Sequence, residues 1–276
     1  MIDQASRLRA LVAGERTAAN DLPAPSGTAA AACARVMAVT SGKGGVGKTT
    51  VAVNLALLLA ERGRRTLIVD ADLGLANVDV MLGIDPPRHI GHLLLPAFAP
   101  EDVAEEGPFG LRIISGGSGL RELAEAGHEQ RRQLGHRLID YYDRFEYVVV
   151  DTSPGIDDAT LDFLSGAERV LLVTTREPTS LRDTYAAAKA ICARVPAASI
   201  TLVVNQSSSD RDAAEAVKVI DDVALRFLNR RCDDWSWIEH DPTVGRAVRA
   251  RRALALMYPR SPATLSLRRL AASLDD

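Results

Sequence analysis

RVMAVTSGKGGVGKTTVAVNLALLLAERG, residues 35–63, decides the fold. RVMAVT (35–40) is a short apolar run of strand length. TTVAVNLALLLAERG (49–63) is apolar nearly all round, which fits a buried helix stopped by Gly63. Between them, GKGGVGKT keeps the spacing of a phosphate loop: Gly42, four residues, then Gly47-Lys48-Thr49. Its glycines let successive backbone N–H groups curl around phosphate oxygens. The helix that follows adds its positive N-terminal end. The candidate phosphate-binding residues are Gly42, Lys43, Gly44, Gly45, Val46, Gly47, Lys48, Thr49 and Thr50. Lys48 is placed to reach the outer phosphates, and the Thr49 hydroxyl to bind Mg2+.

The same alternation continues outward. TLIVD (66–70), LRIIS (111–115), YVVVD (147–151), RVLLVTT (169–175) and ITLVVN (200–205) read as buried strands. Helices are expected over roughly 120–142, 157–165, 179–194 and 212–229. This order predicts an α/β fold: a mostly parallel, twisted sheet with helices on both faces and right-handed crossovers. Functional groups then gather at the carboxyl ends of the strands. That rule brings Thr40–Lys48, Asp70–Asp72, Asp151–Gly155 and Asn205 to one edge. Asp70 and Asp72 share a face of their extended segment, because side chains alternate. Facing the phosphate loop, they can orient Mg2+ and an attacking water.

The chain of 276 residues divides into 1–13, a linker at 14–34 and a domain at 35–276. The linker holds Pro23, Pro25, Ser26, Gly27 and an alanine run without apolar period, so it is expected to be flexible. A net charge of −3 gives no global pull toward nucleic acid. Sparse aromatics, 4% of residues, favour an aliphatic core. Cys33, Cys192 and Cys232 are far apart and odd in number, as expected of unpaired thiols in a reducing cytosol. The first residues lack the basic and apolar regions of a signal peptide. The apolar run around Val51–Ala60 holds Asn54 and falls short of a bilayer span. A soluble, cytoplasmic protein is expected.

KGGVGKT with its second lysine, VDADLGLANVDVMLG (69–83) and YVVVDTSPGIDD (147–158) resemble the deviant Walker A ATPases of the MinD/ParA class. The resemblance runs from about Arg35 to Leu274. It implies a P-loop NTPase fold and an ATP-dependent homodimer using Mg2+, in which Lys43 reaches the partner's nucleotide. A cation supplied in trans suits phosphoryl transfer, which is mostly charge stabilisation and positioning. The resemblance also implies that Asp72 positions the hydrolytic water and that Asp151 holds Mg2+ through water, with Asp70 beside it. Gly155 would let the backbone approach the γ-phosphate. VVNQ (203–206) is similar to the family's adenine-contacting strand end, with Asn205 at the base edge. The family's Ile-Pro-x-Asp turn is matched by Ile238-Glu239-His240-Asp241 without its proline, and Asp241 is assigned to the base on that alignment. Trp235 and Trp237 would share a strand face and pack in the core. Iron–sulfur carriers of the class need paired cysteines, which this sequence lacks.

Within the class, DADLGLANVDVMLG and REPTSLRDTYAAAKA (176–190) look most like the FlhG (FleN) regulators of flagellum number and placement. In MIDQASRLRALV (1–12), Asp3 can cap a short helix with Ala5, Leu8 and Val12 at helical spacing. Such a helix is marginal alone in water and is ordered mainly when docked. The stretch matches the DQAxxLR motif of FlhG proteins, where the helix binds and stimulates the GTPase FlhF. Asp3, Gln4, Ala5, Leu8 and Arg9 are therefore the candidate partner-binding residues. A flagellar C-ring component or a transcription regulator is a further candidate partner. The alternatives are a MinD-type septum-site ATPase, a ParA-type partitioning ATPase, or a nucleotide-gated binding module with little turnover. Hydrolysis is expected to be slow and activated by dimerisation. Arg246, Arg249, Arg251, Arg252, Arg260, Arg268 and Arg269 read as a solvated basic face, so DNA is not expected as a partner. Leu267, Leu270 and Leu274 share one stripe of a helix at 262–274, read as the closing helix of the fold. Peripheral contact with the inner face of the cell membrane is left open.

Overall fold

The apolar runs become strands, and the amphipathic and apolar stretches between them become helices. The computed structural model describes residues 34–72, 76–117 and 128–275. The helix read at 1–13, the linker up to residue 33, and the first part of the helix read at 120–142 lie outside the described residues. Eight strands form one sheet: β1 Arg35–Thr40, β2 Thr66–Ala71, β3 Glu105–Glu106, β4 Arg112–Ile114, β5 Tyr147–Thr152, β6 Arg169–Thr174, β7 Ser199–Ser207 and β8 Asp234–Glu239. Their order is β3-β4-β2-β5-β1-β6-β7-β8. Every pairing is parallel except β3 with β4. The described helices are α1 Lys48–Glu61, α2 Val78–Leu82, α3 Pro100–Val103, α4 His128–Tyr142, α5 Asp158–Leu164, α6 Pro178–Arg194, α7 Asp210–Leu228, α8 Pro242–Arg249, α9 Leu254–Met257 and α10 Pro262–Asp275.

Strand alternation sorts the core into two layers. Leu67, Val69, Val148 and Val150 face one side, with Leu134, Leu138, Ala187 and Ile191. Ile68, Val149 and Leu171 face the other, with Leu55, Leu58 and Leu59 of α1. A helix covered all round explains the apolar composition of α1. Each fully buried leucine there stabilises the fold by about 1.5–3 kcal/mol. Leu267, Leu270 and Leu274 of α10 are buried in the same layer, and Arg268 pairs with Glu61 of α1 at 2.5 Å. The leucine stripe is therefore an inward face of the fold, as the sequence suggests.

Two details differ from the sequence reading. Trp235 and Trp237 do share a face of β8, but Trp235 is 37% exposed while Trp237 packs against the core. β8 is an edge strand, so its outer end lacks a covering layer. The antiparallel strand β3 is only Glu-Glu and has no periodicity to read. Among the described residues, no helix is long and apolar enough to cross a membrane.

Candidate functional site

β1 lies at the centre of the sheet between β5 and β6, and its carboxyl end runs into the glycine loop. The loop needs its glycines for two different reasons. Gly45 and Gly47 sit at φ +82 and +93, where a side chain is strained. Gly42 instead lies against α6, and a Cβ there would come within 2.1 Å of the Asp183 carbonyl oxygen. Gly44 and Gly45 are exposed at the crown, whereas Val46 is buried. Gly47 caps α1 without any side-chain bond, so α1 opens with backbone N–H groups directed at the loop.

Lys48 Nζ sits 2.8 Å from Asp151 Oδ1, and both side chains are buried. Burial pushes the Asp151 carboxyl up, and the charge and hydrogen bond of Lys48 pull it back. The Thr49 hydroxyl also acts to lower it. Asp151 Oδ2 is buried without a hydrogen-bond partner. An orphaned carboxylate oxygen is costly unless something else completes it. Thr49 and Asp151 supply the few hard oxygens that Mg2+ takes from a protein when phosphate and water complete its shell. Among the described residues, no group of three or more His, Cys, Asp or Glu forms a metal cage. The donor set fits magnesium at a phosphate loop.

Asp70 and Asp151 are register partners on β2 and β5. Asp70 is wholly buried, and burial together with Asp151 pushes its carboxyl up to about 7. Its oxygens accept three backbone N–H groups: Asp72 at 3.0 Å on Oδ1, and Asn77 at 2.9 Å and Val78 at 3.0 Å on Oδ2. Asp72 Oδ1 accepts a bond from the Ser153 hydroxyl at 3.0 Å. Lys43 is turned toward the start of α6, 3.0 Å from Glu177 Oε2 and 3.1 Å from Thr179 Oγ1. Gly155 has φ +105 and donates its N–H to the Ser41 carbonyl at 2.8 Å.

A cleft of 320 Å³ opens beside the loop, lined by Gly47, Thr50, Asn205, Ile238, Asp241 and Leu254 among others. Asn205 Nδ2 donates to the Val46 carbonyl at 2.8 Å, and a Cβ at Gly47 would collide with that amide. Asp241 lines the cleft but also caps α8. Its Oδ1 accepts Thr243 N–H and Oγ1–H at 2.8 and 2.6 Å, and its Oδ2 accepts Ala263 N–H at 3.2 Å. Burial alone would raise this carboxyl, but the bonds from Thr243, Ser261 and Ala263 hold it below the usual range. Asp-Pro-Thr is a helix-start signature that the family alignment overshadowed. Ser153, Glu177 and Thr179 carry no motif of their own, and only their position after strand carboxyl ends points to them.

A histidine pair packs beside the end of β4. His89 packs on Gly117, and the His89 and His92 rings lie 4.1 Å apart. Burial first, and then His92, lower His89 from 6.5 to about 4. Because folding depresses this value, the contribution is full above pH 6.5 and is lost as pH falls toward about 4. Denaturation midpoints should therefore drop across that window, and drop less in His89→Gln. Equal pH dependence in the variant would contradict this assignment.

Residues 32–222 match the ParA family, described as NUBPL iron-transfer P-loop NTPases. The chain is 38% identical to the antiactivator FleN of Pseudomonas aeruginosa, over 87% of this chain and 86% of that one. It is 36% identical to the flagellum site-determining protein YlxH of Helicobacter pylori, over 56% of this chain and 53% of that one. The septum site-determining protein MinD of Pyrococcus horikoshii, solved with Mg-ADP, superposes with a TM-score of 0.75. It is 25% identical and covers 88% of this chain and 96% of that one. Loop, paired strand-end carboxylates, sheet order and sequence agree: the chain belongs to the ParA family of P-loop NTPases.

Proposed function

We propose that the chain is an ATP-hydrolysing switch that dimerises on ATP and regulates flagellum number and placement. The observation that carries the ATPase reading is the buried Lys48–Asp151 pair with its unpartnered Asp151 Oδ2. In the pair, each of these charges satisfies the other. A triphosphate in the loop would offer Lys48 a denser set of anionic oxygens and free Asp151 from the pair. Thr49, and Asp151 through water, would hold the metal; Mg2+ neutralises charge developing between the outer phosphates. Asp72, steadied by Ser153, orients the attacking water. Lys43 leaves Glu177 and adds its charge to the partner's site. That exposed pair is weak enough to give way, since such pairs contribute about 0–1 kcal/mol. The cleft beside Asn205 and Asp241 is the place for the nucleoside.

Similarity to FleN and YlxH supports the flagellar role. The reading adds that Asp3, Gln4, Ala5, Leu8 and Arg9 bind an FlhF-like GTPase. A transcription regulator or C-ring component is a further partner of the ATP-loaded dimer, and the protein acts in the cytoplasm. Sedimentation should show dimers with ATP and monomers with ADP. Deleting residues 1–12, or Gln4→Ala, should abolish stimulation of the GTPase while ATP binding stays intact. Unchanged stimulation would count directly against the helix assignment.

A second reading, a DNA-binding partitioning ATPase, draws on one observation. Arg246, Arg249, Arg251 and Arg252 are exposed and take part in none of the ion pairs found among the described residues. Steeply salt-dependent binding of duplex DNA by the ATP-loaded protein would favour it.

A further inference from the structure

We infer that Asp70 is a positioning residue: it ties the backbone of Asp72 to the start of α2, and leaves the metal to Thr49 and Asp151. The inference deepens the ATPase reading and rests on it for its kinetic consequence.

The geometry is that of a clamp. One carboxylate accepts the Asp72 N–H where the chain leaves β2, and the Asn77 and Val78 N–H groups where α2 begins. Asp72 at the end of β2, and Asn77 and Val78 at the start of α2, are therefore tied to a single group at the end of a buried strand. A carboxylate offers about four acceptor positions, and three are taken by backbone. The loop after β4 closes over the same group: a Cβ at Gly116 would lie 3.1 Å from Asp70 Cγ and 2.9 Å from Ala76 Cβ. Asp70 is thus sandwiched between the segment it holds and the backbone of its neighbour. Asp151 is different, because one of its oxygens is buried without a partner. Of the two register-paired carboxylates, one has a backbone N–H on each oxygen and the other has a whole oxygen without a partner.

Asn is nearly isosteric but has one acceptor oxygen, so it cannot serve both Asp72 and the start of α2. Full-length Asp70→Asn, Asp151→Asn and wild-type protein test the assignment. In nucleotide-free Asp70→Asn, amide exchange at Asn77 and Val78, or at Asp72, should quicken by about tenfold, the loss expected for one native hydrogen bond. The Mg2+ concentration giving half-maximal binding of a non-hydrolysable ATP analogue should stay within about twofold of wild type. In Asp151→Asn it should rise by about tenfold or more. The kcat of Asp70→Asn should fall by about a hundredfold with little change in KM, as for a misplaced catalytic group. An Asp70→Asn protein whose Mg2+ requirement rises as in Asp151→Asn would overturn the inference, and so would unchanged exchange. If Asp70→Asn does not fold, Gly116→Ala crowds the same carboxyl and should give the same pattern. The exchange measurement needs no nucleotide, so it stands even if the wild type proves not to hydrolyse ATP.

Discussion

Lys48→Met is expected to weaken ATP binding by about a hundredfold or more, from lost charge-assisted bonds. It should also lower folding stability by about 3–5 kcal/mol. The second effect is the less familiar one, and it follows from burial. Lys48 and Asp151 are 7% and 1% exposed and meet at 2.8 Å. Removing the cation leaves a buried carboxylate facing Asp70, with one oxygen already lacking a partner. Burial favours the protonated acid at Asp151, so the destabilisation should be smaller at acidic than at neutral pH. Combining Lys48→Met with Asp151→Asn should recover most of the lost stability and none of the binding. Chemical denaturation and titration with a fluorescent ATP analogue separate the two effects in a double-mutant cycle. Additive stability losses would show that the pair does not stabilise the nucleotide-free fold.

Asp72→Ala is expected to slow single-turnover ATP hydrolysis by about 10²–10⁴-fold, the range for a positioned group acting on a water. ATP binding and ATP-dependent dimerisation should persist, because Asp72 lies outside the phosphate loop at 42–49. Ser153→Ala should produce a weaker defect of the same kind, since it removes the hydroxyl that orients Asp72. A partner surface that senses only the dimer should respond normally to the locked variant. Equal hydrolysis rates in wild type and Asp72→Ala would end the assignment. They would leave a nucleotide-gated binding module as the better reading.

The sheet and the phosphate loop were legible because both are written locally. Gly42 to Thr49 holds its chemistry in one spacing, and the strand before it and helix after it are continuous apolar runs. Asp151 is legible as the polar end of YVVVD, whereas its ion pair with Lys48 shows only in the fold. Relations between distant segments were not legible. Nothing local links Lys43 to Glu177 and Thr179, because an exposed ion pair leaves no periodic signal. Asp70 looked equivalent to Asp72, since alternation puts both on one face. Only the fold shows that its oxygens accept the N–H groups of Asp72, Asn77 and Val78. The helix-capping role of Asp241 is legible from the Pro242 that follows it. The exposure of Trp235 depends on β8 lying at the sheet edge, a property of strand order rather than of the strand itself.

The most direct test of an ATP switch completed in trans is to mix Lys43→Ala with Asp72→Ala and measure hydrolysis. Each variant alone should be nearly inactive. In a mixed dimer, the Lys43→Ala protomer keeps its own Asp72 and receives Lys43 from its partner. Random pairing makes about half the dimers mixed, each with one complete site, so the mixture should regain about a quarter of the wild-type rate. A mixture no more active than the sum of its two components would contradict action of Lys43 across the dimer.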